Sequence, residues 1–355
     1  MIDPDLWRGR RVFLTGHTGF KGAWMALLLR SLRAEVHGFA LPPEYANGIF
    51  CVAGVEADLN HEIGDIRDLE ALKASMRRAE PEIVIHMAAQ ALVRRSYLDP
   101  TETYSTNVMG TVNLLEAVRL TRGVRAVAVI TSDKCYDNTG AGKPFREGDA
   151  LGGFDPYSSS KACAEIVAAA YRGSFLHGED ASRIATARAG NVIGGGDWST
   201  DRLVPDMMKS FMQGEAVRIR NPDAVRPWQH VIDPLIGYLT LCEALCAAPQ
   251  FAESWNFGPT ASSNITVAEV AGALAKNWGP GAKWEIRRKD DLHEAAFLQL
   301  DCSKAISRLK WRPLIEFEAT LALTVEWYRA FSEGCDMRKF TLGQIDKIAS
   351  NAQRS

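Results

Sequence analysis

Three consecutive polar residues, Ser132-Asp133-Lys134, close an apolar run, and further along Lys161 follows Tyr157 at a spacing of four. A phenol and an ammonium four apart share one face of a helix, about one turn from each other. The ammonium favours phenolate and draws the tyrosine pKa towards neutrality, which makes a base that takes a hydroxyl proton as hydride leaves its carbon. Near the N-terminus, Gly16, Gly19 and Gly22 stand in GxxGxxG spacing within LTGHTGFKG. Glycines there let the backbone turn sharply and approach a pyrophosphate, which the amides and dipole of the following helix then favour. In isolation either pattern is common, the first as a chance helix pair and the second as a plain turn.

The elements around them supply the context. Apolar strand-like runs at 11–15, 35–39, 83–86, 124–131 and 184–189 alternate with helical patterns at 20–32, from 69, around 107–118 and from 157. Such alternation predicts an α/β fold, a Rossmann-like doubly wound parallel sheet with a smaller C-terminal substrate-binding region. Ligands then gather at the strand C-termini. After Gly190 the chain turns to Gly-rich and Trp-containing loops, GNVIGGGDW and RNPDAVRPWQH. The expected division is 1–190 with 229–257 as the dinucleotide-binding domain, and 191–228 with 258–355 as a smaller, lid-like substrate-binding region. At the end of the second strand, VHGFALPP lacks the carboxylate that would hydrogen-bond a ribose 2′-hydroxyl, and Ala40 stands near its place. NADP therefore stays open beside NAD, with His17 or Lys21 as cations for a 2′-phosphate; a solvated helix-start lysine is the plainer reading of Lys21.

Composition narrows the class. The chain has 355 residues, 46% of them hydrophobic, enough for a sizeable core. A net charge of -2 without long like-charge blocks gives no support for nucleic acid or an anionic membrane as partner. Seven cysteines form no CxxC pair and leave an odd thiol, which points to a reducing cytoplasm. Cys242 and Cys246 read as buried helix residues, and His86 and His230 as structural, because none has metal-like companions. No metal is expected. The N-terminus lacks a signal-peptide core, and no apolar run approaches a membrane span.

With HMAAQ (86–90), Asn107 and TSD (131–133), the glycine triplet and YxxxK resemble the extended short-chain dehydrogenase/reductases over almost the whole chain. TGHTGFKG, AAQALVRRSY, NVMGTVNLLEA, TSDKCY, YSSSKACAE, RAGNVIGGGDW, DRLVPD, RPWQHVIDPL and LDCSKA more closely resemble the nucleotide-sugar 4,6-dehydratases, in particular those acting on CDP-glucose. The resemblance implies a cofactor site of Gly16, His17, Gly19, Phe20, Gly22, Asp65, Ile66, Ala88, Ala89, Gln90 and Asn107 with Tyr157 and Lys161. It implies a substrate site of Asn191, Asp197, Trp198, Arg202, Leu203, Arg226 and Trp228, and a homodimer through helices at 103–120 and 157–172. In such an enzyme C4 of a hexose is oxidised, the acidified C5 proton removed, the C6 hydroxyl expelled as water and hydride returned to C6.

That sequence of steps needs an acid and a base beyond Tyr157. The dTDP-glucose enzymes use an Asp-Glu pair, where this chain has Asp133-Lys134. Ser132 is expected to hold the C4 hydroxyl beside Tyr157, Lys134 to take the C5 proton and Asp133 to protonate the C6 oxygen. Read plainly, the pair is an ion pair at a strand end. A sugar-nucleotide 4-epimerase would share Tyr157 and Lys161 and need neither Asp133 nor Lys134; a nucleotide sensor would keep the fold without turnover. Residues 137–145 form a plain loop where the resembled enzymes carry an aromatic-rich one.

Overall fold

Apolar runs with no polar alternation fold as strands covered on both faces. The computed structural model describes residues 2–140, 142–178, 181–260, 264–286 and 298–352. Its strands, in chain order, are β1 (Arg11–Thr15), β2 (Glu35–Ala40), β3 (Asn60–Ile63), β4 (Ile83–His86), β5 (Ala126–Ile130) and β6 (Arg183–Arg188). There follow β7 (Val192–Ile193), β8 (Ala216–Ile219), β9 (Val225–Pro227), β10 (Gln229–His230), β11 (Ser254–Asn256), β12 (Asn264–Thr266) and β13 (Lys283–Ile286). Seven of these form one parallel sheet in the order β11-β6-β5-β4-β1-β2-β3. Every residue of β4 and β5 is buried, as two helical layers require.

One layer packs Trp24, Leu27 and Leu235 against the sheet, and the other packs Leu72, Leu114 and Val118. The chain winds outwards from β1 through β2 and β3, then returns to β4 on the other side of β1. This reversal opens a crevice at the C-terminal ends of β1 and β4, where a doubly wound sheet binds its ligand. Both the glycine loop and Met87-Ala88 emerge there. β3, the edge strand, was not among the expected strands, because NHEI has only one apolar residue and half of it faces solvent.

Among the described residues the smaller region includes paired short strands, β8 with β13 and β9 with β12, and the helices Leu203–Gln213 and Val267–Trp278. Its GGGDW loop is the hub that joins it to the sheet. Trp24 Nε1 donates to the Gly195 carbonyl at 3.0 Å and the Ile49 amide to Gly196 at 3.2 Å. A Cβ on Gly195 would lie 1.9 Å from the Trp327 ring, so only glycine permits that approach.

The last helix, Met337–Ala352, is clasped to the N-terminal half by Asp58. That carboxylate, 6% exposed, pairs with Arg30 at 2.5 Å and Arg338 at 2.6 Å. Asp58→Ala leaves two guanidinium groups facing each other. We expect a loss of roughly 1–3 kcal/mol, read as a fall of several degrees in the thermal midpoint and earlier proteolysis of the last helix; an unchanged midpoint would show the clasp to be idle.

Candidate active site

Where β5 ends, the chain turns at Ser132, whose extended backbone caps a single 3-10 turn, Asp133–Cys135. The Ser132 hydroxyl accepts from the Lys134 amide at 3.2 Å and donates to Asp133 Oδ1 at 2.9 Å. It also shares a hydrogen bond with the Tyr157 phenol. Ser132 therefore touches Asp133, Lys134 and Tyr157 at once. Asp133 is buried, and its Oδ2 finds no hydrogen-bond partner among the described residues. A Cβ on Gly190 would stand 1.7 Å from that oxygen, so the glycine after β6 makes the room Asp133 occupies.

Tyr157 and Lys161 come from the helix Pro156–Ser174, which Asp155 caps through the Ser158 amide at 2.9 Å, with Pro156 in the first turn. The Tyr157 amide donates to Ser96 Oγ at 3.1 Å, fixing the helix start. Burial pushes the phenol up to about 12, a rise that the Ser132 hydrogen bond and Arg202 only partly offset. Here the structure corrects the sequence reading: Lys161 alone does not bring Tyr157 towards neutrality. Its Nζ donates to the Ile130 carbonyl at 3.3 Å, and burial lowers its own pKa to about 8.

These groups line a cavity of about 860 Å³ together with Lys134, Ala89, Asn191, Asp197, Arg202, Leu203, Arg226 and Trp228. Asp197 accepts from Arg202 at 3.1 Å, and Arg202 donates in turn to the Ala91 carbonyl at 3.2 Å, tying the GGGDW loop to the chain after β4. Asn191 is left-handed, with φ 39°. Asp137, Asn138 and Thr139 of the plain loop also line the cavity, and Phe145 at its end stacks on Tyr136 at 4.7 Å. Trp198 does not line it. Its ring packs against Tyr328 and Phe331, at 5.3 and 5.2 Å, and belongs to the core.

The glycine loop fits a dinucleotide. Gly16 has φ 76° and sits so close to the chain after β4 that a Cβ would meet the Ala88 amide nitrogen at 2.7 Å. A Cβ on Gly22 would meet the Gly16 carbonyl at 2.1 Å, while Gly19 caps the helix Phe20–Ser31 with no side-chain hydrogen bond. These close approaches bring backbone rather than side chains against the start of the helix, where first-turn amides suit a pyrophosphate. Asp65, beyond β3, is held ionised below the usual carboxylate range by hydrogen bonds from Arg67. Ile66 packs against Gly110.

Asn107 and Gln90 hold the site's frame. Asn107 accepts from the Gln90 amide at 2.9 Å and donates to the Gln90 carbonyl at 3.0 Å and Ser160 at 2.9 Å, which ties the β4 exit to the Tyr157 helix. It lies in a π-turn, Ser105–Met109, of the kind that often marks functional positions.

Two cations depart from expectation. His17 turns to His61, 2.6 Å away, and burial with the neighbouring His61 and His37 lowers it to about 3. It is neutral and offers no charge to a 2′-phosphate. Lys21 is neither a solvated lysine nor a 2′-phosphate ligand: it reaches into the catalytic cavity, donating to Tyr238 at 3.1 Å. Burial, Lys161 and Arg202 lower it to about 7, against the pull of Asp133. Tyr238 lies 217 residues away, so no local pattern could have revealed the contact. His86, between Thr15 and Thr111, and His230, against Trp24, are buried and structural. No group of candidate metal ligands occurs among the described residues.

The family model described as GDP-mannose 4,6 dehydratase matches residues 13–324. A CDP-glucose 4,6-dehydratase of Salmonella typhimurium is 48% identical over 359 residues, covering 100% of both chains. A dTDP-glucose 4,6-dehydratase of Streptomyces antibioticus is 30% identical, covering 75% of each. Among solved structures, DesIV, a dTDP-glucose 4,6-dehydratase of Streptomyces venezuelae with NAD and TYD bound, superposes with TM-score 0.77 at 25% identity, covering 92% of this chain and 98% of that one. UDP-glucose 4-epimerase of Thermotoga maritima with UDP-glucose gives TM-score 0.79 at 23% identity, covering 90% and 99%.

Two outcomes follow from this geometry. Gly190→Ala should displace Asp133 and cut turnover on the order of a hundredfold, whereas Gly173→Ala, with nothing near its added carbon, should not; equal activities would remove Asp133 from the chemistry. Lys21 has a folded pKa below its unfolded one, so the unfolded chain binds the extra proton between about pH 7 and the ordinary lysine value of 10.5. Stability from this group rises with pH across that window. Lys21→Met should therefore gain most over the native chain below pH 7 and lose that advantage by pH 10 in denaturant titrations; a pH-independent difference would contradict the burial of its charge.

Proposed function

The chain belongs to the GDP-mannose 4,6-dehydratase family, and from that premise we propose that it is an NAD-dependent hydro-lyase that converts CDP-glucose to CDP-4-keto-6-deoxyglucose and water. The observation that carries this reading is Ser132 bonded to both Asp133 and Tyr157, with Lys134 on the same turn. A 4-epimerase needs the tyrosine but no second acid and base. The full-length similarity to a CDP-glucose enzyme supports the nucleotide.

NAD, when bound, supplies the hydride acceptor at C4 and the donor at C6. Tyr157 takes the C4 hydroxyl proton while Ser132 fixes that oxygen. Its pKa of about 12 must come down for this, and the Ser132 hydrogen bond and Arg202 both pull it in that direction. Lys134 takes the proton at C5, made acidic by the C4 carbonyl. Asp133 protonates the C6 oxygen, which leaves as water. Lys134 returns its proton to C5 as C6 is reduced. Ser132 bridges Tyr157 and Asp133, so the proton taken at C4 can restore Asp133, and the residues end as they began.

Asn191, Arg202 and Arg226 grip the sugar nucleotide, with the planar fork of Arg226 on phosphate oxygens. In this reading residues 191–228 with 258–355 hold the substrate, and 1–190 with 229–257 hold the cofactor. A homodimer would cover Met109 and Ile166, exposed apolar residues on the helical run 100–119 and on the Tyr157 helix. Free thiols throughout fit a cytoplasmic setting; no helix of the described residues is long and apolar enough to cross a membrane.

Purified protein given CDP-glucose and NAD should yield a nucleotide sugar lighter by one water in mass spectrometry; unchanged mass with an inverted C4 would establish the epimerase instead. Tyr157→Phe and Lys134→Ala should each lose roughly 10²–10⁴-fold in kcat, but differently. The first abolishes transient cofactor reduction. The second keeps reduction and stalls elimination, so native-rate solvent-deuterium exchange at C5 in Lys134→Ala would rule out Lys134 as the base.

A further inference from the structure

The cavity wall supplied by the smaller region carries an arginine and a carboxylate locked together. Arg220, just after β8, donates from Nη1 to Asp201 Oδ1 at 2.8 Å, and Arg94 Nε lies 3.7 Å from the same oxygen. Asp201 precedes the helix Leu203–Gln213 in a left-handed backbone, φ 60°, and both residues line the cavity. An aspartate held in that conformation at a cavity wall is strain of the kind that persists at ligand sites.

A nucleotide sugar fills such a cavity in a fixed order of hexose, diphosphate, ribose and base. The hexose belongs at Ser132 and Tyr157 and the diphosphate at Arg226, which leaves the rest of the wall for the nucleoside. A carboxylate is a poor neighbour for a diphosphate, because like charges repel at close range. The Asp201 carboxylate beside the Arg220 guanidinium instead sets an acceptor next to a cationic donor group. Cytosine displays the complement on its pairing edge, with an amino donor at N4 and acceptors at N3 and O2. Uracil and thymine offer an acceptor at position 4 and a donor at N3, so both meet a like group. Carboxylates accept from cytosine N4 in nucleic-acid recognition for the same reason. Val217 and Ile219 of β8, also on the wall, give a base an apolar face.

The geometry points to Asp201 and Arg220 as the residues that select cytosine over uracil and thymine. This rests on the nucleotide-sugar reading of the cavity but not on dehydration itself.

Titration calorimetry of the full chain with CDP and with UDP separates the two. The native protein should prefer CDP at least roughly tenfold, the worth of one good polar pairing. Asp201→Asn, whose amide can turn either face to the base, should bring that ratio near one, and Arg220→Met should lower it by weakening CDP. The ratio of kcat/KM for CDP-glucose over UDP-glucose should fall in parallel. A native protein indifferent to the base would overturn the inference. So would variants that keep the native ratio, or that weaken both nucleotides equally, which places the pair on the ribose. Base preference that shifts as expected in a protein that dehydrates no sugar would uphold the inference and overturn the dehydratase reading.

Discussion

Glu165 and Arg188, each about 2% exposed, hold a 2.8 Å ion pair beneath the exit of β5. Two charges so sealed are costly to desolvate, and hydrogen bonds from the groups around them offset much of that cost, although Arg188 Nε finds no partner among the described residues. Burial alone would raise the Glu165 carboxyl, but Arg188 and the hydroxyls of Thr131 and Thr186 outweigh it and hold the pKa below the usual range. Arg188 donates also to the Tyr136 hydroxyl at 2.8 Å, which donates in turn to Asn256 at 2.7 Å. One network thus joins the ends of β5, β6 and β11 to the helix that carries Lys161 and Tyr157. Ser132, Asp133 and Lys134 stand between its anchors at Thr131 and Tyr136. Removing one partner of such a pair typically costs about 3–5 kcal/mol, so the catalytic turn is held to a geometry the rest of the fold cannot easily abandon.

Above that floor the cavity concentrates cations. Lys21, Lys161 and Arg202 surround Asp133 and Tyr157, and burial lowers both lysines. A low-dielectric site of this kind strengthens each charge on a bound substrate while making each unpaired charge expensive. It suits a reaction that must hold a carbonyl and an enolate between its steps. The GGGDW loop closes the arrangement from the other side, since Asp197 orients Arg202 and Tyr328 donates to the Asp197 carbonyl.

Much of this is written locally. Strands buried on both faces read as unbroken apolar runs, so β4 and β5 stood out, while β3 escaped because an edge strand with one solvated face carries no such signal. The chemical turn was legible because Ser132, Asp133 and Lys134 are adjacent and Tyr157 and Lys161 share a helix face. What lay hidden depends on contacts between distant residues. Lys21 acquires its surroundings from Tyr238, Trp198 loses its cavity to Tyr328 and Phe331, and Gly190 matters only because Asp133 points at it. The Tyr157 pKa failed for a related reason, since spacing shows the lysine but not how completely the phenol leaves water.

The most direct measurement is the fate of deuterium placed at C4 of CDP-glucose, turned over as a mixture with unlabelled substrate. Deuterium found at C6 of the 4-keto product, within the molecule that supplied it, is the result this account predicts. Deuterium retained at C4 of an epimerised sugar, or absent from C6 of a dehydrated one, would contradict it.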